Sequence, residues 1–234
     1  MIQTLDPIVF RFKAGKIEVA LYNRPKDTDR YPSVSSLPGG MIFEDKDHNL
    51  EDSLNRILNR KMPLPLSFMD VMPPVGNNSR DPDGWSMTIP YLCITNSTEN
   101  YTQGHWVPIE SLVLTPNKNG VRLPFDHNEL IESAWNILKN RASYSTLPVF
   151  FMPEKFTLIE LQKCCETISG NSIHKASFRK RWLNSGVITP LNEQGYSTCL
   201  YSGESKRERI ANLYTINTCS PMVFFERTMT GTKK

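Results

Sequence analysis

The sequence is poor in features that would tie it to an oxidising compartment or a membrane. It has five cysteines, Cys93, Cys164, Cys165, Cys199 and Cys219, an odd number with no CxxC pair. That count and spacing argue against a disulfide framework or a thioredoxin-like redox motif. The adjacent Cys164 and Cys165 read more simply as two buried positions of one helix. The four histidines include none at zinc-ligand spacing from a cysteine, so no metal site is expected. No run approaches the ~18 consecutive apolar residues that cross a bilayer. The N-terminal residues show no basic stretch followed by an apolar core and a small-residue cleavage site, so no export signal is expected. Repeats and low-complexity tracts are also lacking, which excludes a solenoid. These absences predict a cytoplasmic protein without a membrane partner.

What the chain does have is a divided charge. Its net charge of +3 hides an asymmetry: residues 1–150 carry 15 Lys and Arg against 17 Asp and Glu, or −2, and residues 151–234 carry 12 against 7, or +5. A basic C-terminal part points to a polyanion as its partner.

The N-terminal part reads as strands. Two apolar-rich runs, 8–12 and 17–22, flank Lys13-Ala14-Gly15-Lys16, a hairpin signature. A polar loop over 25–32 leads to an extended approach to Gly39-Gly40. A helix is predicted over about 49–61, with Asn49 as cap, Glu51 and Asp52 in the first turn, and an apolar stripe of Leu50, Leu54, Ile57 and Leu58. Further strands are expected at 68–75, 85–94 and 106–107, and a second long helix over about 128–141.

The pattern then changes to short helices. Thr157 followed by Glu160 forms a capping box opening a helix over 158–168. A basic amphipathic helix follows over about 174–184, closed by Gly186. Val187-Ile188 and 197–201, around Gly195, are expected to form a two-stranded hairpin. The join falls near Tyr144, giving two domains, 1–144 (with the helix over 128–141) and 145–234.

The unit Leu37-Pro38-Gly39-Gly40, acidic loop, helix with Arg56 resembles the Nudix family. In that family the box G-x5-E-x7-R-E-U-x-E-E-x-G-U, with U apolar, places glutamates on one helix face, where they ligate Mg²⁺ against a diphosphate. This chain keeps the frame without the ligands. Aligned on Leu50 and Arg56, with a two-residue insertion in the loop, the glutamate positions fall on Ile57, Arg60 and Lys61. Counted from Gly40 without an insertion, they fall on Asn55, Leu58 and Asn59. Two cations in place of two anions would repel Mg²⁺ by several kcal/mol each at ~4 Å, even at an effective dielectric of ~20. No catalytic residue, cofactor or hydrolase activity is therefore expected. Arg60 and Lys61 are either a basic exposed helix end or the cationic wall of a pocket that binds without cleaving.

The segment Phe156-Thr157-Leu158-Ile159-Glu160-Leu161-Gln162, followed by His174-Lys175-Ala176-Ser177-Phe178-Arg179-Lys180-Arg181, is the most specific stretch. It resembles the C-terminal domain of the Nudix-related transcriptional regulators of the NrtR type. Ser79-Arg80-Asp81-Pro82, Leu123-Pro124-Phe125-Asp126-His127, Tyr144-Ser145-Thr146-Leu147-Pro148 and Met152-Pro153-Glu154 resemble further family motifs in the same order. The resemblance implies an α+β chain: a Nudix α/β/α sandwich with a mixed sheet, then a winged helix-turn-helix. It also implies a homodimer on a double-stranded DNA operator, released by an effector that is an ADP-ribose-like nucleotide or a sugar such as arabinose. Arg24, Phe43, Glu44, Arg56, Arg60 and Arg80 are the candidate effector-binding residues. Arg80 reads equally as a dimer contact, and Arg56 as a loop anchor. On the basic helix, Phe178 and Trp182 stand four apart as anchors. Arg179 suits a guanine edge and Lys175, Lys180 and Arg181 suit phosphates, with Ser177 a further DNA-binding candidate on the helix and Tyr196 and the Lys206-Arg207-Arg209 cluster adding wing or backbone contacts. Two rival readings remain: a Nudix hydrolase acting on a nucleoside diphosphate derivative through carboxylates outside the box, and a nucleotide-sensing module whose winged helix grips protein.

Overall fold

The computed structural model describes residues 2–113, 120–198, 208–217 and 222–225, with side chains for all of these save 193–198 and 208–210. The chain divides into two compact units, Met1–Ile137 and Leu138–Lys234.

The first unit is a mixed sheet with helices against it. In chain order it contains β1 (Ile2–Lys13), β2 (Lys16–Asn23), β3 (Ser35–Ser36), β4 (Gly40–Met41), α1 (Leu50–Lys61), β5 (Phe68–Val71), β6 (Val75–Asn77), β7 (Ser86–Ile94), β8 (Gly104–Pro108) and the start of α2 (His127–Tyr144). The division between the units falls within α2. The main strand order is β3-β2-β1-β7-β5, with β8 on β2, β4 on β1 and β6 on β7. Among the described strands only β1 and β7 run parallel, in register from Ile2 opposite Ser86 to Phe10 opposite Ile94.

The predicted hairpin forms through Ala14 (φ +50°) and Gly15 (φ +78°), both left-handed, as a two-residue primed turn requires. Its first strand begins six residues before the predicted Ile8, at Ile2. Asp6 and Pro7 hide this extension in the sequence. Pro7 lies between the pairings of β1 with β4 (Thr4, Leu5) and with β2 (from Phe10), so its missing N–H interrupts neither ladder. The strand expected over 68–75 divides into β5 and β6, because Pro73 and Pro74 cannot donate to a ladder.

Alternation along β1 places the core on two sides. Leu5 and Val9 join Ala20, Cys93, Leu54, Ile57, Leu58 and Met62 in one buried cluster under α1. Phe10 faces the other way, its ring 6.2 Å from that of Trp135 on α2. Asn49 caps α1 as predicted, accepting from Asp52 N at 2.8 Å. Leu50, assigned to the apolar stripe from its spacing, is instead exposed, because the buried face is Ser53, Leu54, Ile57 and Leu58.

The second unit holds a 3-10 turn over Leu147–Phe151, β9 (Phe156–Thr157), α3 (Leu158–Ser169), α4 (Lys175–Asn184), β10 (Ile188–Thr198) and β11 (Glu208–Ile216). The capping box is present: Thr157 Oγ1 accepts from Glu160 N at 3.2 Å, and Thr157 N donates to Glu160 Oε2 at 2.7 Å. Leu161, Cys164, Cys165 and Ile168 are the buried face of α3, and burial pushes the Cys165 thiol up to about 12. Both thiols therefore stay protonated and apolar in character. Gly186, at φ +71°, follows α4 in the left-handed conformation expected of it.

The hairpin reading requires a correction. β10 runs on through Gly195, which pairs with Ala211, and the partner strand is β11, in a stretch for which no strand was expected. An isolated glycine is tolerated within a strand when pairs on either side fix the register, here Gln194 with Asn212 and Tyr196 with Ile210. Tyr201, the expected end of the second strand, lies outside the described residues. β11 also pairs with β9, so the winged sheet runs β10-β11-β9.

Candidate effector site and nucleic-acid interface

The loop that leads into α1 is closed by its own side chains. Arg56 donates from Nε to Asp47 Oδ1 (2.7 Å) and from Nη2 to Asp47 Oδ2 (2.6 Å) and to the Met41 carbonyl (2.8 Å). Its guanidinium also lies 4.6 Å from the Phe43 ring centre. Asp47 Oδ2 accepts from Phe43 N at 2.9 Å, completing the closure. Arg56 holds the Asp47 carboxyl well below the usual carboxylate range, with the Phe43 N–H bond acting in the same direction. Arg56 and Phe43 are thus committed to the loop in this arrangement, and Glu44 is exposed beside them.

The positions that would carry metal ligands do not fit Mg²⁺. Ile57 is buried, and a Cβ on Gly40 would stand 3.1 Å from its Cγ1. Arg60 is exposed on the outer face of the helix. Lys61 turns inward: its ammonium donates to the Gly39 carbonyl and lies 4.7 Å from the Tyr22 ring centre. Burial lowers its pKa to about 8, with the Arg24 charge adding to the effect. A cation therefore already occupies the underside of the glycine loop. The sequence marked Lys61 as basic; only packing brings it there.

A second cluster joins elements far apart in sequence. Arg80 donates to both carboxylate oxygens of Asp126, at 2.9 and 3.0 Å, and to Ser86 Oγ at 3.3 Å, with Asp6 Oδ2 at 3.5 Å. His127 accepts from Leu37 N at Nδ1 (3.1 Å), which leaves Nε2 to carry the proton, 3.8 Å from Asp6 Oδ1. Burial lowers the His127 pKa, against the pull of Asp6 and Asp126, so the ring stays neutral. A Cβ on Gly39 would stand 1.7 Å from Asp6 Oδ1, so the carboxylate of Asp6 packs onto that glycine.

Beside this cluster lies a cleft of about 260 Å³ lined by Tyr31, Asn77, Ser79, Arg80, Phe125 and Asp126, among others. Tyr31 and Phe125 meet edge to face at 5.0 Å, and both hold positive φ, +48° and +58°. Backbone strain of that kind gathers at ligand clamps and switch segments. Arg24 reaches the same aromatic pair. Its guanidinium lies 5.6 Å from the Phe125 ring centre and donates to the carbonyls of Arg30 (2.8 Å) and Tyr31 (3.2 Å). Of the six candidate effector residues, Arg80 lines the cleft and Arg24 lies against its aromatic pair, while Phe43 and Arg56 form the loop closure. Tyr31 and Asp6 carry no local mark in the sequence; Phe125 and His127 stand in a motif that resembles the family's, but nothing in that motif gives them a place at the cleft.

In the second unit, α4 has one locked face and one open face. Phe178 and Trp182 are buried, with their rings 5.8 Å apart. Lys175, Ser177, Arg179, Lys180 and Arg181 are all exposed. His174 Nδ1 lies 3.3 Å from Ser177 Oγ at the start of the helix. The structure leaves all five candidates exposed, distributed around the helix outside the buried pair. Arg181 differs in detail, because its guanidinium lies 5.0 Å from the ring centre of Phe225. Tyr196 is in β10 opposite Ile210, with its side chain outside the described residues. So are Lys206 and Arg207, and the side chain of Arg209.

Known proteins place both units. Residues 148–216 match the NrtR DNA-binding winged helix domain. The chain is 32% identical over 195 residues to the ADPR responsive transcriptional repressor NtrR of Acinetobacter baylyi, covering 80% of this chain and 74% of that one. Shewanella oneidensis NrtR complexed with a 27mer DNA superposes with a TM-score of 0.77 at 30% identity, covering 92% of this chain and 93% of that one. The Nudix domain of the same protein complexed with ADP ribose gives a TM-score of 0.50 at 30% identity, over 59% of this chain and 88% of that one. The mixed-sheet unit has the Nudix fold and the second unit is a winged helix: this chain belongs to the NrtR family of Nudix-related transcription regulators.

Proposed function

We propose that this chain is a ligand-responsive repressor that binds double-stranded DNA through α4 and is released by an ADP-ribose-like nucleotide bound in the Nudix unit. The observation that carries the reading is the division of α4 into two faces. Phe178 and Trp182 lock one face in the core, while Lys180 stands exposed opposite them, Arg179 is exposed on the flank and Lys175 is exposed at the first turn. A helix so held presents several cations to a polyanion at fixed spacing, which is what a major groove and its flanking phosphates require. In this reading Arg179 reads a base edge, and Lys175, Ser177 and Lys180 touch the backbone. Tyr196 belongs to the wing contact, and two copies read a pseudo-palindromic operator.

The nucleotide is supported by the two relatives named above, one ADPR responsive and one bound to ADP ribose. Within this chain it is supported by the chemistry around the cleft. Tyr31 and Phe125 offer stacking surfaces, and Arg24 beside them supplies positive charge for a diphosphate. The Nudix unit binds without hydrolysing, because Ile57, Arg60 and Lys61 occupy the glutamate positions in the register set by Arg56.

Fluorescence anisotropy tests the reading, using labelled duplex from upstream of the chain's own gene against a random duplex at two salt concentrations, with ADP-ribose or arabinose added. Tighter binding of the upstream duplex, a steep salt slope and release by ADP-ribose are expected. Release by arabinose alone would replace the nucleotide with a sugar. Failure to bind either duplex at low salt would sink the regulator reading. Mg²⁺-dependent turnover of ADP-ribose would overturn the inactive box.

A further inference from the structure

Residues 222–225 lie beyond the matched winged helix domain, which ends at 216, yet they fold back onto the second unit. Val223 and Thr146 bond in both directions: Thr146 N donates to the Val223 carbonyl at 2.9 Å, and Val223 N donates to Thr146 Oγ1 at 2.9 Å. Phe225 N donates to the Tyr144 carbonyl at 2.7 Å. Phe224 stacks on Tyr144, with ring centres 5.9 Å apart and planes at 21°. These contacts fix the direction of the segment and deliver the next side chain to α4. The Phe225 ring meets Trp182 edge to face at 5.8 Å and carries the guanidinium of Arg181 at 5.0 Å.

We propose that Phe225 is a positioning residue for DNA binding: a platform that holds the Arg181 guanidinium in place for a phosphate contact at the edge of α4. The inference rests on the reading of α4 as the DNA-binding helix. An exposed arginine surrenders rotamer freedom when it grips a phosphate, and stacking on a ring removes much of that freedom beforehand. A stacked guanidinium keeps its in-plane N–H donors free, so the platform does not compete with the phosphate. A device that silenced Arg181 would use a carboxylate to neutralise it, and among the described residues no carboxylate pairs with Arg181. The ring in turn is held by Trp182, which belongs to the buried anchor of the same helix. The tail thus sets the flank of α4 as Phe178 and Trp182 set its depth.

The test compares full-length wild type, Phe225→Leu, Phe225→Tyr, Arg181→Ala and the Phe225→Leu/Arg181→Ala pair. Affinity for the upstream duplex is measured over a salt series, with thermal midpoints recorded. Phe225→Leu is expected to weaken binding about two- to fivefold, the worth of one exposed cation–π contact. The slope of log K against log salt should fall by up to about 0.9, the share of one phosphate. Phe225→Tyr, which keeps the ring, should bind as wild type does. The double variant should bind no more weakly than Arg181→Ala, because both changes remove one contact. Additive losses, an unchanged affinity for Phe225→Leu, or tighter binding from that variant would each overturn the proposal, the last by showing a restraint instead of a platform. Should Phe225→Leu unfold early, Arg181→Lys gives a second route at an exposed site. It keeps the charge but not the planar stack, and binding equal to wild type would overturn the proposal. If wild type itself binds no duplex, the reading of α4 fails and this proposal falls with it. If wild type binds and only the Phe225 predictions fail, the reading of α4 stands.

Discussion

Arg80 holds Asp126 in a two-pronged ion pair, Nε to Oδ2 at 2.9 Å and Nη2 to Oδ1 at 3.0 Å, across 46 positions of sequence. Both side chains are less than a tenth exposed. The pair ties the loop before β7 to the residue that immediately precedes α2. Through Asp6 and His127 it also reaches β1 and the strand leading to the glycine loop. The donors of Arg80 are thereby largely committed within the protein, so its first role is to hold the floor of the cleft.

Replacing Arg80 with Ala leaves the buried carboxylates of Asp6 and Asp126 without their cation. A loss of about 3–5 kcal/mol in stability is expected, as for removing one partner of a buried pair. Arg80→Lys should recover only part, because an ammonium cannot match the two-pronged geometry. Urea denaturation checks both. Unchanged midpoints would make Arg80 a ligand residue only.

His127 gives the first unit a pH dependence. Its pKa in the folded protein lies below that of the unfolded chain, so below about pH 6.5 the unfolded state takes up the extra proton first. Stability should therefore fall as pH falls from about 6.5 toward the lowered folded value, and the contribution vanishes above that window. His127→Asn, whose side-chain oxygen can accept from Leu37 N, should flatten this part of the profile. Urea midpoints between pH 5 and pH 8 report it; an identical acid slope in the variant would place the dependence elsewhere.

Lys61 acts at the alkaline end. With its pKa lowered to about 8, the folded protein releases this proton more readily than the unfolded chain. Stability should rise with pH between about 8 and about 10.4, the ordinary lysine value, as the unfolded state comes to bind the extra proton. Lys61→Met should remove that rise. Denaturant midpoints across this range are the measurement, and a rise that persists in Lys61→Met would show that Lys61 does not cause it.

The two faces of α4 should separate by mutation. Phe178→Ala empties a buried site and should cost about 3–5 kcal/mol, with DNA binding lost through unfolding of the winged helix. Arg179→Ala should change stability by no more than about 0.5 kcal/mol, as exposed substitutions do, while abolishing preference for the upstream duplex. Parallel melting and anisotropy measurements suffice. A large fall in melting temperature for Arg179→Ala would mean that the side chain supports the fold.

What the sequence determined by itself is what short-range physics encodes. Asn49, the Thr157–Glu160 box, the Ala14-Gly15 turn and Gly186 each fix a backbone boundary within a few residues. Phe178 and Trp182, spaced by one helical turn, predict which face of α4 is buried. The missing glutamates were visible too, because a fixed motif spacing shows what stands in each position. Only the tertiary structure decided where side chains separated by many residues meet. Arg80 finds Asp126, Lys61 turns under Gly39, and Phe225 reaches Arg181 because the packing of whole elements brings them together. The strand partner of β10 was likewise hidden, since a glycine within a strand and a glycine at a turn look alike until long-range pairing sets the register.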